Sequence, residues 1–279
     1  MGTNLSIDFA GGTIVSYSYS GEVDTDSVKT LAKDTLGADL NVTKTSDYSG
    51  ETQLITIELV DNSSVSNEAL IELDTALAEN YPDNSIEKYS SNSVDPTVGK
   101  GFFIKCIFAA VLGALIVTLY VGLRFRKIGG FSAAVFALLC LLHDILIAYF
   151  SYVVFRFDID DNFIAVILTL FGYSLNGTIV IYDRIRENNR IYGKVKPLDE
   201  IVNISINQTF TRNLFTTLTT FVAIMCVCIV AWVGGVTSII SFALPMAIGL
   251  VSGCYSSVFL SSPLWAAWKK VRSKKENKR

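Results

Sequence analysis

Ionisable side chains are scarce in the apolar stretches of this 279-residue chain, so each one there is a first place to look for chemistry. His143 and Asp144 stand side by side in "LLHDILIAYF". A histidine beside a desolvated carboxylate can pass or hold a proton, and it can equally gate a path. The same pair also serves as a hydrogen-bond lock between helices, and the residues alone leave both readings open. Asn176 and Gly177 interrupt "LFGYSLNGTIVIYDRIREN", which then leaves the apolar run through Asp183, Arg184, Arg186, Glu187 and Asn188. Arg212 opens another apolar run. Gln208 (or Thr209), Arg212, Thr216 and Thr219 (or Thr220) recur there at helical spacing, as do Thr169, Tyr173, Asn176 and Asp183 in the preceding run. Two polar stripes of this kind on adjacent helices are expected to face each other inside a bundle, which would bring Arg212 close to positions 176 and 177. An arginine at the inner interface that binds lipid phosphate is the other reading of Arg212.

Those residues need helices to hold them, and the composition supplies them. The chain is 51% hydrophobic with a mean hydropathy of +0.43, above the range of ordinary soluble domains. Residues 1–100 carry 17 acidic and 5 basic side chains, whereas residues 101–279 carry 9 acidic and 18 basic. That asymmetry predicts an acidic polar domain over 1–98, a membrane bundle over 99–268 and a basic tail over 269–279. Five runs, roughly 102–123, 130–155, 162–182, 214–233 and 239–267, are long enough to cross about 30 Å of hydrocarbon. Trp232, Trp265 and Trp268 lie near run ends, where aromatic belts form.

Loop charge sets an orientation. Arg124, Arg126 and Lys127 follow the first run, and Arg184 to Lys196 follow the third, whereas "RFDIDD" is acidic and "GGVTS" uncharged. The basic side belongs in the cytoplasm, with the tail, which places residues 1–98 outside. No apolar anchor precedes the acidic domain, so a first transmembrane helix is expected upstream of the given sequence.

The acidic part reads as two halves. "GTIVSYSYS" is expected as a strand and "DTDSVKTLAKDTLG" as a helix with an Asp/Thr start and a closing Gly37. "ADLNVTKT" and "TQLITIELV" are expected strands, "SVSNEALIELDTALAEN" a second helix and "SIEKYSSNSV" a last strand. The order βαββαβ is that of the α+β ferredoxin-like fold, which carries no activity by itself. The five cysteines all lie in apolar runs with no metal-ligand spacing, and they read as buried hydrophobes. "GYSLNG" is not the G-x-S-x-G nucleophile elbow, and "DFAGGT" lacks the lysine of a P-loop. Neither an enzyme, a cofactor nor a metal is implied. Gly249, Gly253 and Ser257 have the spacing of close helix packing.

"SIDFAGGT", "VDPTVGK", "LLHDILIAYF", "GYSLNGTIVIYDRIREN", "INQTFTRNLFTTLTT" and "GLVSGCYSSVFLSSPL" together resemble the SecF family of bacterial protein-translocase subunits. The resemblance runs in order along nearly the whole chain. It implies a relative of the RND transporters with the outer domain between its first and second helices, in agreement with the helix expected upstream. It further implies a multi-pass protein of the bacterial inner membrane that acts with SecD, next to the SecYEG channel, to complete translocation of secreted polypeptides by the proton-motive force. A non-conducting scaffold between SecD and SecYEG is the alternative. YajC, YidC and anionic lipids extend the implied partners, and no nucleic acid is among them. The resemblance makes Arg212 the partner of an aspartate that the family usually has at position 177. Here that position is Gly177. The chain also has Asp95 where the family usually has glycine and Gly101 where it usually has an acid.

Overall fold

The structure, a computed structural model, describes residues 5–38, 40–46, 52–59, 67–94, 96–234 and 236–276. The Asp95 departure lies outside them. The chain divides into two compact units.

The first unit comprises residues 1–107 with two short pieces, 157–161 and 229–240. After a one-turn helix α1 (Ile7–Ala10), strand β1 (Gly12–Tyr19) leads to α2 (Thr25–Leu36), β2 (Leu40–Ser46), β3 (Gln53–Leu59), α3 (Asn67–Asn80) and β4 (Glu87–Val94). Helix α2 starts where the Asp24 side chain accepts from the Ser27 amide at 3.1 Å, and it stops at Gly37, whose φ of 63° a residue with a Cβ adopts at a cost. The strands form one sheet in the order β2-β3-β1-β4 with every neighbouring pair antiparallel. Alternation decides the buried face: Val15, Tyr17 and Tyr19 of β1 join Ile55, Ile57 and Leu59 of β3 against Val28 and Ala32 of α2 and Leu70, Leu73 and Leu77 of α3. Ile14 lies on the opposite face of β1 from Val15, Tyr17 and Tyr19 and is half-buried.

An acidic contact joins the sheet to the piece 157–161. Leu5 bridges to Ile159, and the Ser6 amide donates to the Ile159 carbonyl at 3.0 Å. Burial raises the pKa of Glu58 above its ordinary 4.5, and the nearby Asp158 carboxylate raises it further; Asp158 is itself raised by burial. An acid raised on folding binds more protons folded than unfolded between its two pKa values, so its contribution to stability is complete below the unfolded value and declines as pH rises through that interval. Lowering the pH from neutral towards 5 is therefore expected to raise the melting temperature of this unit in the wild type more than in Glu58→Gln. Circular-dichroism melts of the full chain in detergent would show it. Equal pH dependence in the two proteins would remove the acidic contact from the account.

The second unit is helical. Among the described residues, five helices are long and apolar enough to cross a membrane. They are α4 (Pro96–Arg124), α5 (Gly130–Phe155), α6 (Asp161–Tyr192), α7 (Leu198–Val233) and a last segment made of α8 (Thr237–Tyr255), a π-helix (Ser256–Ser261) and α9 (Ser262–Glu276). Three sequence boundaries change. Helix α6 continues ten residues past 182, and α7 begins sixteen residues before 214, so Asp183 to Asn188 lie within a helix and not at its end. The basic tail likewise continues α9 as far as Glu276. Hydropathy marks only the lipid-facing length of a helix; charged residues that form good helices extend it unseen. Trp265 is also displaced from the expected belt. It is fully buried, and its indole N–H donates to Ser132 Oγ at 3.0 Å. Trp232 and Trp268 are exposed.

Candidate functional site

Helix α5 carries Asp144 about 21 Å from its first residue at helical rise, deep inside the apolar length. The carboxylate is fully buried. Four groups surround it. On Oδ1, Ser252 Oγ donates at 2.8 Å and His143 Nδ1 lies at 3.1 Å; on Oδ2, Ser174 Oγ donates at 2.5 Å and Ser256 Oγ at 2.8 Å. Three helical segments thus converge on one charge: α5, α6 through Ser174, and the last segment through Ser252 and Ser256.

Donor and acceptor arithmetic gives the site its chemistry. An ionised carboxylate offers about four lone-pair positions, and four donors fill them when His143 carries its proton on Nδ1. A protonated carboxyl must itself donate, so one neighbour has to turn from donor to acceptor. Ser256 has a second acceptor within reach, the Gly253 carbonyl at 3.3 Å. The cage therefore satisfies both protonation states through a hydroxyl rotation, with no buried group left unpaired. His143 is only half-buried and packs beside Tyr255, with ring centroids 6.5 Å apart. It links the cage to the outer face of the helix.

Close packing makes the convergence possible. A Cβ on Gly249 would lie 2.7 Å from Leu170, and one on Gly253 would lie 3.3 Å from the Ser174 Cβ. The small-residue spacing read from the sequence is a packing line, and its third member, Ser257, also donates to the Ser174 carbonyl at 3.1 Å.

The structure brings His143 and Asp144 together, but not Arg212 with position 177. Gly177 faces Ser257, whose Oγ would lie 3.1 Å from a Cβ there, and its carbonyl accepts from Asn213 Nδ2 at 3.4 Å. Asn176 and Arg212 are exposed, and among the described residues the Arg212 guanidinium has no hydrogen bond or ion pair. The inward face of α7 is Ser205, Thr209, Asn213 and Thr217, one position over from the stripe through Gln208, Arg212 and Thr216. On α6 the fully buried polar side chains are Ser174, Thr178 and Tyr182; Asn176 is exposed, while Tyr173 is half-buried with its hydroxyl inside. Adjacent helical residues point 100° apart, and both candidate stripes are polar, so periodicity had no means of choosing.

Asp183 to Asn188 do structural work. Asp183 accepts from Arg124 at 3.1 Å and pairs with Arg186 at 2.8 Å. Arg184 donates to Gln208 at 2.6 Å and pairs with Glu187 at 2.5 Å, while Asn188 donates to Ser205 and Gln208, both at 2.8 Å. The motif ties α6 to α4 and α7. Sequence reasoning missed Ser174, Ser252, Ser256 and Asn213; the one available signal was the serine density of "VSGCYSSVFLSS".

Comparison with known proteins agrees with this architecture. The family described as "Protein export membrane protein SecD/SecF, C-terminal" matches residues 73–271. The SecF protein-translocase subunit of Sebaldella termitidis is 34% identical over 94% of this chain and 81% of its own length. The SecDF subunit of Bacillus subtilis is 32% identical over 98% of this chain but only 35% of its own. The crystal structure of SecDF from Thermus thermophilus, a translocon-associated membrane protein, superposes with a TM-score of 0.78 at 29% identity, covering 96% of this chain and 34% of that one. The chain thus spans about one third of the fused SecDF proteins and most of the separate SecF subunit. It belongs to the SecD/SecF family of protein-export membrane proteins.

Proposed function

We propose that this chain, an accessory membrane subunit of Sec protein export with SecD as its partner, draws on the proton-motive force through Asp144. The observation that carries the reading is a fully buried carboxylate whose hydrogen-bond cage fits it both charged and neutral. A group built only to lock helices has no use for the second state. Bacterial SecDF proteins join the SecD part and the SecF part in one chain, which supports SecD as the neighbour. Exposed Arg212, at the start of an apolar stretch, supports the same neighbour as the cover for α7. Charge asymmetry supports an outer domain facing away from the cytoplasm and a cytoplasmic C-terminus in the inner membrane. The strand order and antiparallel pairing of the outer domain support the ferredoxin-like arrangement. SecYEG, YajC, YidC, translocating polypeptides and anionic lipids complete the partners of the proposal.

Export driven by an imposed proton gradient, in vesicles holding this chain, SecD, the SecYEG channel and SecA, is the test. Asp144→Asn should remove the gradient-dependent part of the rate. A wild-type gradient dependence in Asp144→Asn would sink the reading.

Gly177 favours a second reading, a scaffold that moves no proton, because glycine cannot titrate at the position where the family resemblance implies an aspartate. Gly177→Asp separates the two. Its Cβ would meet Ser257 Oγ, so the new carboxylate would join the hydroxyl system around Asp144. In a proton-coupled subunit it should raise gradient-driven export; in a scaffold it should not.

A further inference from the structure

Asp144 does not stand alone in its polar surroundings. From its cage a row of hydroxyls continues along the α6 contact with the last segment, towards the end of α6 that carries Asp183. Helix α6 supplies Ser174, Thr178 and Tyr182, one turn apart, and the opposite segment supplies Ser256, Ser257 and Ser261; all six are buried. Ser174 and Ser256 hold Asp144, and Ser257 Oγ reaches the Ser174 carbonyl. Thr178 Oγ1 and Ser257 Oγ lie 3.0 Å apart, as do Tyr182 OH and Ser261 Oγ one turn further on. The Cys140 thiol, one turn from Asp144 on α5, is buried near Ser261.

Ser256 and Ser257 both lie in the π-helical turn and both are buried, Ser256 donating to Asp144 on α5 and Ser257 lying 3.0 Å from Thr178 on α6. Tight packing alone would be met by alanine, which brings no hydroxyl into the apolar interior. At the far end Phe125 and Trp265 pack against the Tyr182 ring, with centroids 5.9 and 5.7 Å away, and close the row in this conformation.

We propose that this row is the inner half of the proton route, from Asp144 through Ser256 and Ser174, Ser257 and Thr178, to Tyr182 and Ser261. The inference rests on the proton-coupled reading of Asp144. Between paired hydroxyls each donates its proton as it accepts one, so none changes charge; from the Ser174 and Ser256 hydroxyls to Ser257, which bonds the Ser174 carbonyl, a bridging water carries the proton. The net result is a carboxylate at Asp144 and a proton delivered beyond Tyr182 to water at the basic end. The step from Thr178 to Tyr182 spans four residues, about 6 Å along the axis, and takes a second bridging water. Among the described residues, the titratable groups beside Asp144 are His143 on α5 and, one turn away, Cys140, and the bonds it accepts from α6 and the last segment come from hydroxyls.

The test uses the same vesicles with SecD and the channel, reading the slope of export rate against imposed proton gradient. Thr178→Val, which keeps the shape and removes the hydroxyl, and Tyr182→Phe should each lower the slope about tenfold. Thr178→Ser should restore it, and Thr118→Val, which removes a hydroxyl bonded only to its own helix, should leave it unchanged. If Asp144→Asn flattens the slope while Thr178→Val and Tyr182→Phe keep it, the route is wrong and the coupling reading stands. If all three keep the wild-type slope, both fall. Equal damage from Thr178→Ser and Thr178→Val would show that packing at this position matters and the hydroxyl does not, which also overturns the route.

Discussion

Asp144→Ala is expected to destabilise the membrane unit by about 3–5 kcal/mol, the scale seen when one partner of a buried charged network is removed. Three serine hydroxyls from two other segments lose their acceptor at once, and His143 loses its partner. Some of that loss is recovered. A serine in a helix can turn to the carbonyl one turn back, and Ser256 already has the Gly253 carbonyl near it. Ser174 and Ser252 gain less, because each projects between helices towards the place the carboxylate occupied. Asp144→Asn keeps the volume and one carbonyl acceptor, so it should fall between alanine and the wild type. Thermal melts in detergent, followed by tryptophan fluorescence from buried Trp265, would rank the three. An alanine variant that melts with the wild type would show that the cage adds nothing to stability and would leave its chemistry as the sole reason for the residue.

The second large effect is expected at Gly130, where α5 leaves the turn after α4. A Cβ there would lie 2.1 Å from the Gly122 carbonyl oxygen and 2.9 Å from two backbone carbons, those of Gly122 and Phe125. No side chain can move aside, because the obstacles are backbone. Gly130→Ala must therefore push the start of α5 away from α4, at a cost of about 3 kcal/mol or more. Gly172 is the internal control. It lies on an exposed face of α6 with nothing within 4 Å of a would-be Cβ, so alanine should stabilise that helix by up to about 1 kcal/mol through propensity alone. Protease resistance in detergent micelles would separate them, with Gly130→Ala cut faster and Gly172→Ala no faster than the wild type. Similar resistance for both alanine variants would mean that the α4–α5 turn tolerates displacement and that the close approach is not needed.

The sequence by itself determined the parts that depend on a one-dimensional pattern. The runs of twenty and more apolar residues, the acidic domain before them and the alternation of basic and neutral loops each follow from the cost of placing polar groups in hydrocarbon, and that cost is local. The strand and helix order of the outer domain was legible for the same reason, since Val28 and Ala32, or Ile55, Ile57 and Leu59, repeat at the period of their own element. Asp144 and His143 stood out because an ionisable pair in an apolar run is conspicuous wherever the run folds. The tertiary structure decided which polar face of each helix turns inward. Asn213 and Thr217 face the bundle while Arg212 and Thr216 do not, although one residue separates the two sets. It also decided that serines over a hundred positions from Asp144 in the chain are its hydrogen-bond partners, and that Ser256 and Ser257, in a π-helical turn, are both buried. Helix rotation and register are set by the sum of contacts among several segments, and no single segment contains that sum.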